Sequence, residues 1–310
     1  MEYRQLGKAG VKVSVIGLGT NRFGSVASEA QVKNIIDLAL DLGINFIDTA
    51  DIYTKGESET TLGKALKGRW DKVVLATKFV MESGDGPNDQ GASRYHMMNA
   101  VEGSLRRLQS DHIDLYYVHC WDEHTPIEET LRGLDDLVRA GKVRYVGASK
   151  FAAWQLAHAY LLAEVRGWTP FAAMQLEYNL FERAVEREVL PCCEAHQVGF
   201  VPYFPLAGGF LTGKYRRGQP APKGSRGQSS TYVQGFMTDA HYDKTEKLEA
   251  WANAHGHDLS ELAHAWLLAQ PAVCSVISGA TKPEQVQANA KAADWHLSAQ
   301  EVQEVNAVLG

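Results

Sequence analysis

Four polar residues close short apolar runs or follow them at once. Asp48 ends Asn45-Phe46-Ile47-Asp48 and Tyr53 comes shortly after it; Lys78 ends Ala76-Thr77-Lys78 and His119 ends Val118-His119. Tyrosine ordinarily ionises near ~10, too high for efficient acid work at neutral pH. A lysine ammonium within hydrogen-bond reach stabilises the phenolate and is expected to lower that pKa by ~1–3 units. An aspartate beside the lysine keeps the ammonium charged, and a neutral histidine orients a carbonyl by one hydrogen bond. Such a set gives a proton to a carbonyl oxygen and needs an external hydride. Singly each is ordinary, since Asp48 can cap a helix and His119 can be a satisfied core residue. Their joint placement argues for one shared site.

The elements that would position them follow from periodicity. Eight short apolar runs recur: Val15–Leu18, Ile44–Thr49, Val73–Lys78, Asp114–His119, Val143–Ser149, Phe171–Gln175, Phe200–Tyr203 and Val273–Ile277. Near-continuous apolarity suits parallel strands covered on both faces. The stretches between them have helical period. Ser28-Glu29-Ala30-Gln31 reads as a capping box, with Val32, Ile35, Ile36, Ala39 and Leu42 on one face behind it. Thr125-Pro126-Ile127-Glu128 reads as a second cap with proline at the first helical position. Eight alternations in one chain predict an α/β fold, a (β/α)8 TIM barrel forming a single domain over residues 1–310, with its chemistry at the C-terminal ends of the strands. Tyr3–Leu6 and Val11–Ser14 predict an N-terminal β-hairpin that plugs one end. Between Leu206 and about Ala240, after the seventh strand, Gly, Ser, Gln and Pro predominate without a period, which predicts a long loop over the mouth.

Composition narrows the function classes. The 310 residues are 45% hydrophobic and 22% charged, which excludes a disordered or collagen-like chain. Lys and Arg number 31 against 37 Asp and Glu, a net charge of −6, and they are scattered, so no nucleic-acid partner is expected. No apolar run approaches a membrane span, and Met1-Glu2-Tyr3-Arg4-Gln5 has no secretory character, so no membrane partner is expected. Cys120, Cys192, Cys193 and Cys274 lack C-x-x-C spacing and fit reduced thiols in a cytoplasm. Gly208 to Tyr215 nearly matches a phosphate loop, but Tyr215 stands where the hydroxyl ligand of magnesium belongs. Gly17-Leu18-Gly19 lacks the third glycine of a dinucleotide fingerprint, and His255-Gly256-His257 lies between helical stretches, where solvated histidines rather than metal ligands are expected.

Taken together, the chain resembles the aldo-keto reductase family, including its branch of potassium-channel β subunits, over essentially its whole length. Phe46-Ile47-Asp48-Thr49-Ala50-Asp51-Ile52-Tyr53 resembles the family's Asp-to-Tyr motif, Thr77-Lys78 its lysine strand and Asp114-Leu115-Tyr116-Tyr117-Val118-His119 its histidine strand. The resemblance implies that Asp48, Tyr53, Lys78 and His119 form the catalytic tetrad and that the cofactor is NADP(H), with NAD(H) possible. It also implies contacts from Thr20, Asn21 and Asp48, from Ser149, Lys150 and Gln175 at the nicotinamide, and from Tyr203, Phe204, Pro205 and Leu206, with Tyr203 stacked on the ring. Lys214 matches a family position on the long loop, where Arg226 is a further candidate cation. Gly279, Thr281, Lys282, Gln285 and Asn289 resemble the motif that grips adenosine and its 2′-phosphate, with Thr281 expected to cap a helix whose free N–H groups face the anion. The pattern departs at Lys150, often Asn, and at Ala288, acidic in some branches, and it lacks a strongly basic phosphate clamp.

For the substrate, a small carbonyl compound or alcohol, Phe23, Tyr53, Met81, His119 and Trp121 are expected to line the mouth, along with Gly84–Arg94, where Arg94 could meet an anion. Two other classes stay open on the sequence. One is a non-enzymatic NADP-binding regulatory subunit, against which the chain shows no docking extension ahead of the hairpin. The other is a Schiff-base aldolase using Lys78, which needs a neutral amine that a neighbouring Asp48 disfavours. The natural substrate, the direction of reaction and the number of subunits are not encoded in any of these motifs.

Overall fold

Strands buried on both faces must carry apolar residues at nearly every position, and eight such strands pair in the computed structural model, which describes residues 1–310. They are β3 (Ile16–Gly19), β4 (Phe46–Asp48), β5 (Val74–Phe79), β6 (Ile113–Val118), β7 (Val143–Ser149), β8 (Ala173–Glu177), β9 (Gly199–Tyr203) and β10 (Val276–Gly279), preceded by the hairpin strands β1 (Tyr3–Gln5) and β2 (Lys12–Ser14). All eight pairings are parallel, and β10 pairs with β3 from Val276↔Ile16 to Gly279↔Gly19, closing the barrel.

The helices cover the outside: α1 (Glu29–Asp41), α2 (Glu57–Ala65), α3 (Arg94–Leu108), α4 (Ile127–Arg139), α5 (Ala153–Arg166), α6 (Val189–His196), α7 (Thr231–Gly235), α8 (Asp239–Ala254), α9 (Leu259–Leu268), α10 (Pro283–Lys291) and α11 (Ala299–Leu309). Ser28 caps α1 in the expected reciprocal box with Gln31. None of these helices is long and apolar enough to cross a membrane.

Two separate apolar cores result. The larger lies between the strands and the helices. The smaller fills the barrel and includes Phe46, Val74, Ala76, Leu115, Tyr117, Ala173, Val201 and Ile277, joined by Leu6 and Val13 of the hairpin region. Strand side chains alternate, so the next inward position above each of these is fixed: Asp48 above Phe46, Lys78 above Ala76, His119 above Tyr117, Gln175 above Ala173 and Tyr203 above Val201. The polar cluster is the uppermost inward layer of an otherwise apolar barrel.

The hairpin does plug the opposite end. Lys8 N–H donates to Gln197 O at 2.8 Å, and Gly7 sits against Gln197 O, Gly199 N and Ala172 O, at the starts of β8 and β9. With φ at +59° and backbone on that side, Gly7 has no room for a Cβ.

Several local expectations need correction. The last strand begins at Val276 rather than Val273, because Val273 makes only an isolated bridge to Phe200 and pairing with β3 starts at Val276. Thr125 does not cap α4: its hydroxyl donates to Asp122 at 2.7 Å and Pro126 holds the cap position. Thr281 does not cap α10 either. Pro283 at the first helical position holds the residue before it extended, so Lys282 becomes the cap, without a side-chain bond, while Thr281 N–H donates to Gln285 Oε1 at 2.7 Å. The segment from Leu206 to Ala240 is also not wholly irregular, for it contains α7 and short 3₁₀ turns at Ala207–Thr212 and Arg226–Gln228. The four cysteines are free thiols, and His255 and His257 stack on Trp251 and Trp295, each at 3.9 Å between ring centroids.

Candidate active site

Lys78 is fully buried at the end of β5, and its ammonium is met on three sides. Nζ donates to Asp48 Oδ1 at 2.6 Å, to Thr49 O at 2.7 Å and to the Tyr53 hydroxyl at 3.3 Å. The other Asp48 oxygen accepts from Gln175 Nε2 at 2.9 Å. Burial works against the ammonium, but Asp48 and Tyr53 outweigh it and hold the Lys78 pKa above lysine's ordinary value. A charged, fully coordinated amine is a poor nucleophile, which weighs against Schiff-base chemistry.

Tyr53 follows the loop after β4 and lines the cleft. Its pKa is raised, not lowered: desolvation comes first, and the opposing ammonium of Lys78 does not cancel it. The expected downward shift is therefore corrected, because burial of the phenolate costs more than one cation at 3.3 Å returns. Tyr53 keeps its proton at neutral pH.

His119 packs edge-on to Tyr53, with ring centroids 6.1 Å apart. Burial, followed by Lys78 and Lys150, pushes its pKa down to about 2, so the ring is neutral. Nδ1 is buried without a partner, and Nε2 is the nitrogen left with access to the cleft. An N–H at Nε2 leaves the enclosed Nδ1 as an unprotonated acceptor and presents a donor to the cavity.

These residues close the inner end of a cleft of about 720 Å³. Thr20, Asn21, Asp48, Ser149, Lys150, Gln175, Tyr203, Phe204, Pro205 and Leu206 line it, and it continues past Lys214 and Arg226 to Gly279, Thr281 and Gln285. Non-glycine residues with positive φ stand just beyond its strands, at Val80 (107°), Lys150 (56°), Phe204 (55°) and Ala207 (47°). Left-handed backbone at such residues concentrates where surrounding structure holds a site in shape.

Not every expected residue reaches the cleft. Phe23 is wholly buried in the outer core, and its backbone carbonyl accepts from the Thr54 hydroxyl at 2.7 Å. Trp121 packs edge-on to Phe151 and Trp154 instead, at 5.2 and 5.5 Å. Lys282 is exposed outside the cleft, and Asn289 is buried on α10 without lining it. Arg94 is no anion receptor in the mouth: it starts α3 and pairs with Asp136 at 2.5 Å. Within Gly84–Arg94, Asp89 is turned in on Gly86 N at 2.8 Å. Met81 does line the cleft.

Sequence reasoning missed Arg22, Glu177 and Tyr232, all on the cleft wall. Glu177 was within reach, since it is the next inward position after Gln175. It accepts a hydrogen bond from the Tyr232 hydroxyl on α7, while Tyr232 stacks on Phe204 with centroids 5.6 Å apart. The segment after β9 is thereby strapped over the cleft, and Gly208 beneath it is tight enough that a Cβ would come within 2.6 Å of Val233 Cγ2.

Two observations bear on a nicotinamide dinucleotide. Ser149 Oγ is buried at the cleft with no partner, as is suitable for a carboxamide. Arg22, Lys150, Lys214 and Arg226 line the cleft, and none forms an ion pair with a carboxylate of the chain, which leaves positive charge for a diphosphate.

A closed parallel barrel with an Asp–Lys–Tyr–His cluster at its C-terminal mouth defines a class of oxidoreductase-like folds. The aldo/keto reductase family model matches residues 15–309, and the chain belongs to that family. It is 38% identical to the "uncharacterized oxidoreductase YrpG" of Bacillus subtilis, over 100% of this chain and 96% of that protein. It is 34% identical to the "aldo-keto reductase YhdN" of the same organism, over 100% and 94%. Against the "probable voltage-gated potassium channel subunit beta" of Arabidopsis thaliana the identity is 37%, over 95% and 92%.

Proposed function

We propose that the protein, acting as one domain over residues 1–310, reversibly reduces aldehydes or ketones to alcohols with a nicotinamide cofactor, NADPH before NADH. The observation that carries this is the three-way contact of Lys78 Nζ with Asp48, Thr49 O and the Tyr53 hydroxyl at the inner end of the cleft. Family membership and the oxidoreductase names of the relatives point the same way. The cofactor, when bound, supplies or accepts a hydride. Ser149 and the free Oε1 of Gln175 would hold its carboxamide, Tyr203 would face its ring, and Lys214, Arg22 and Arg226 would meet its phosphates.

The chain's own part is proton chemistry. His119 Nε2–H orients the carbonyl oxygen toward the tyrosine. Tyr53 Oη gives its proton to that oxygen as negative charge develops there. Lys78 Nζ stabilises the phenolate that remains, and Asp48, held by Gln175, keeps the ammonium in place. In the reverse direction the phenolate takes the proton back from the alcohol. The raised pKa of Tyr53 keeps its proton in place at neutral pH, and the Lys78 ammonium, acting against burial, eases the release. The four free thiols support a cytoplasmic setting, and family membership supports a small-molecule substrate.

The test is cofactor oxidation across aldehydes, ketones and aldoses, run with NADPH and with NADH. Wild type should turn over at least one class and prefer NADPH without excluding NADH, because no bidentate arginine is committed to a 2′-phosphate. Tyr53→Phe should bind cofactor as before and lose at least ~100-fold in turnover. Wild-type rates in that variant would refute the mechanism.

The names of the channel-subunit relatives favour one second reading, a cofactor-binding regulatory subunit. Its signature would be stable assembly with a partner and negligible turnover on every carbonyl tried.

A further inference from the structure

Asp51 lies three residues after Asp48 and two before Tyr53, on the loop that carries the tyrosine. Its amide donates to Lys78 O at 3.2 Å, and the neighbouring Ala50 O accepts from Tyr53 N–H at 3.1 Å, so the loop is tied to the strand of the lysine on one side and to the tyrosine on the other. The Asp51 side chain is turned away from the cleft and is 4% exposed.

Its surroundings differ from those of every other buried carboxylate. Asp48, Glu59, Asp114, Asp135 and Glu261 each accept at least two hydrogen bonds. Neither oxygen of Asp51 makes a well-formed one. From α2, Glu59 faces it, already committed to Thr77 Oγ1 at 2.6 Å and Arg107 Nε at 2.7 Å. From β6, the Tyr116 hydroxyl is buried beside this group and also lacks a partner. A buried carboxylate with no donors is costly, whereas the neutral acid is far less so.

We propose that Asp51 is a positioning residue for the proposed reaction: a hidden carboxyl behind the cleft wall whose charge state sets, through Tyr53, how readily the tyrosine gives up its proton. The proposal rests on the reading of Tyr53 as proton donor. Burial first, and then the Glu59 carboxylate, push the Asp51 pKa up to about 7, against Arg107, the Ile52 amide and Lys78. When charged, Asp51 makes the Tyr53 hydroxyl harder to ionise. The acid is thus stronger when Asp51 is neutral, and weaker once Asp51 ionises.

The other groups around the tyrosine separate cleanly. His119 is neutral, and Lys78 stays charged, throughout the neutral range. Glu177, across the cleft, also titrates near 7. Carbonyl reduction should therefore be followed from pH ~6 to ~8 in wild type, Asp51→Asn and Glu177→Gln. Wild type is expected to slow by about three- to ten-fold over that range, a modest size because Asp51 is the weakest of the charges acting on the Tyr53 hydroxyl. Glu177→Gln should retain the decline, and Asp51→Asn should hold its rate within about two-fold. An Asp51→Asn profile that parallels wild type would overturn the proposal. Should that variant fail to fold, carbon-13 NMR of wild type labelled at aspartate decides: one carboxyl ionising between ~6 and ~8 supports the proposal, and none above ~5 overturns it. Absence of any carbonyl turnover would instead defeat the Tyr53 reading and the coupling with it, and the NMR titration tells the two failures apart.

Discussion

Asp48 ends β4 and Asp51 stands on the loop just after it, both buried, and they behave oppositely because one has donors and the other does not. Asp48 receives Lys78 and Gln175, so its burial is compensated. Asp51 keeps a folded-state pKa of about 7 against an ordinary 3.8, so the folded protein holds a proton that the unfolded chain has released. The stability tied to that proton is complete below pH ~4 and is lost as the pH rises through about 7, a difference on the order of 4 kcal/mol. Asp51→Asn should therefore stabilise the protein at pH ~8 by a few kcal/mol and much less at pH ~4. Urea denaturation at the two pH values reads this directly, and an equal effect at both would contradict it. That Asp48, Tyr53, Lys78 and His119 gather at one mouth was legible in the sequence, because each ends an apolar run or closely follows one. The state of Asp51 was not, since nothing in a sequence says whether a buried carboxylate will find donors on elements far along the chain. The direction of the Tyr53 shift failed for the same reason: proximity to lysine is visible in a motif, and depth of burial is not.

At the scale of elements, the strands were readable and the strap was not. Runs apolar on both faces identify parallel strands without further context, and only their limits moved, most at β10. The segment after β9 has no period because α7 is only five residues long, and its packing comes from partners elsewhere in the chain. Pro283 displaced the expected cap of α10 by one residue, a local rule the spacing alone did not reveal. The strap is anchored by the Tyr232–Glu177 hydrogen bond and the Tyr232–Phe204 stack. A hydrogen bond to a carboxylate is worth ~1.5–3 kcal/mol when buried and less at a half-exposed site such as this. Tyr232→Phe keeps the stack and loses the bond, so cofactor should leave about three- to ten-fold faster while the barrel melts as before. Stopped-flow displacement of bound NADPH measures the first and thermal denaturation the second. An unchanged release rate would show that the strap is held by packing alone.

For the molecule as a whole, the apolar interior stands between two ends with different duties. Below it the hairpin seals the barrel against the starts of β8 and β9; above it lie the tetrad and the cleft. Gly7→Val should destabilise the fold by at least ~2 kcal/mol, because a Cβ there overlaps backbone and the residue needs positive φ. The KM for carbonyl and for cofactor in the surviving folded protein should stay unchanged, and a shift in either would mean that the plug communicates with the mouth. Because the filled interior separates them, the residues that decide what enters the cleft are largely not the residues that decide whether the chain folds. Met81, Lys150 and Arg226 line the cleft and belong to neither apolar core. A lineage built on this barrel is free to change what its cleft admits by small steps, each of which leaves a folded protein behind.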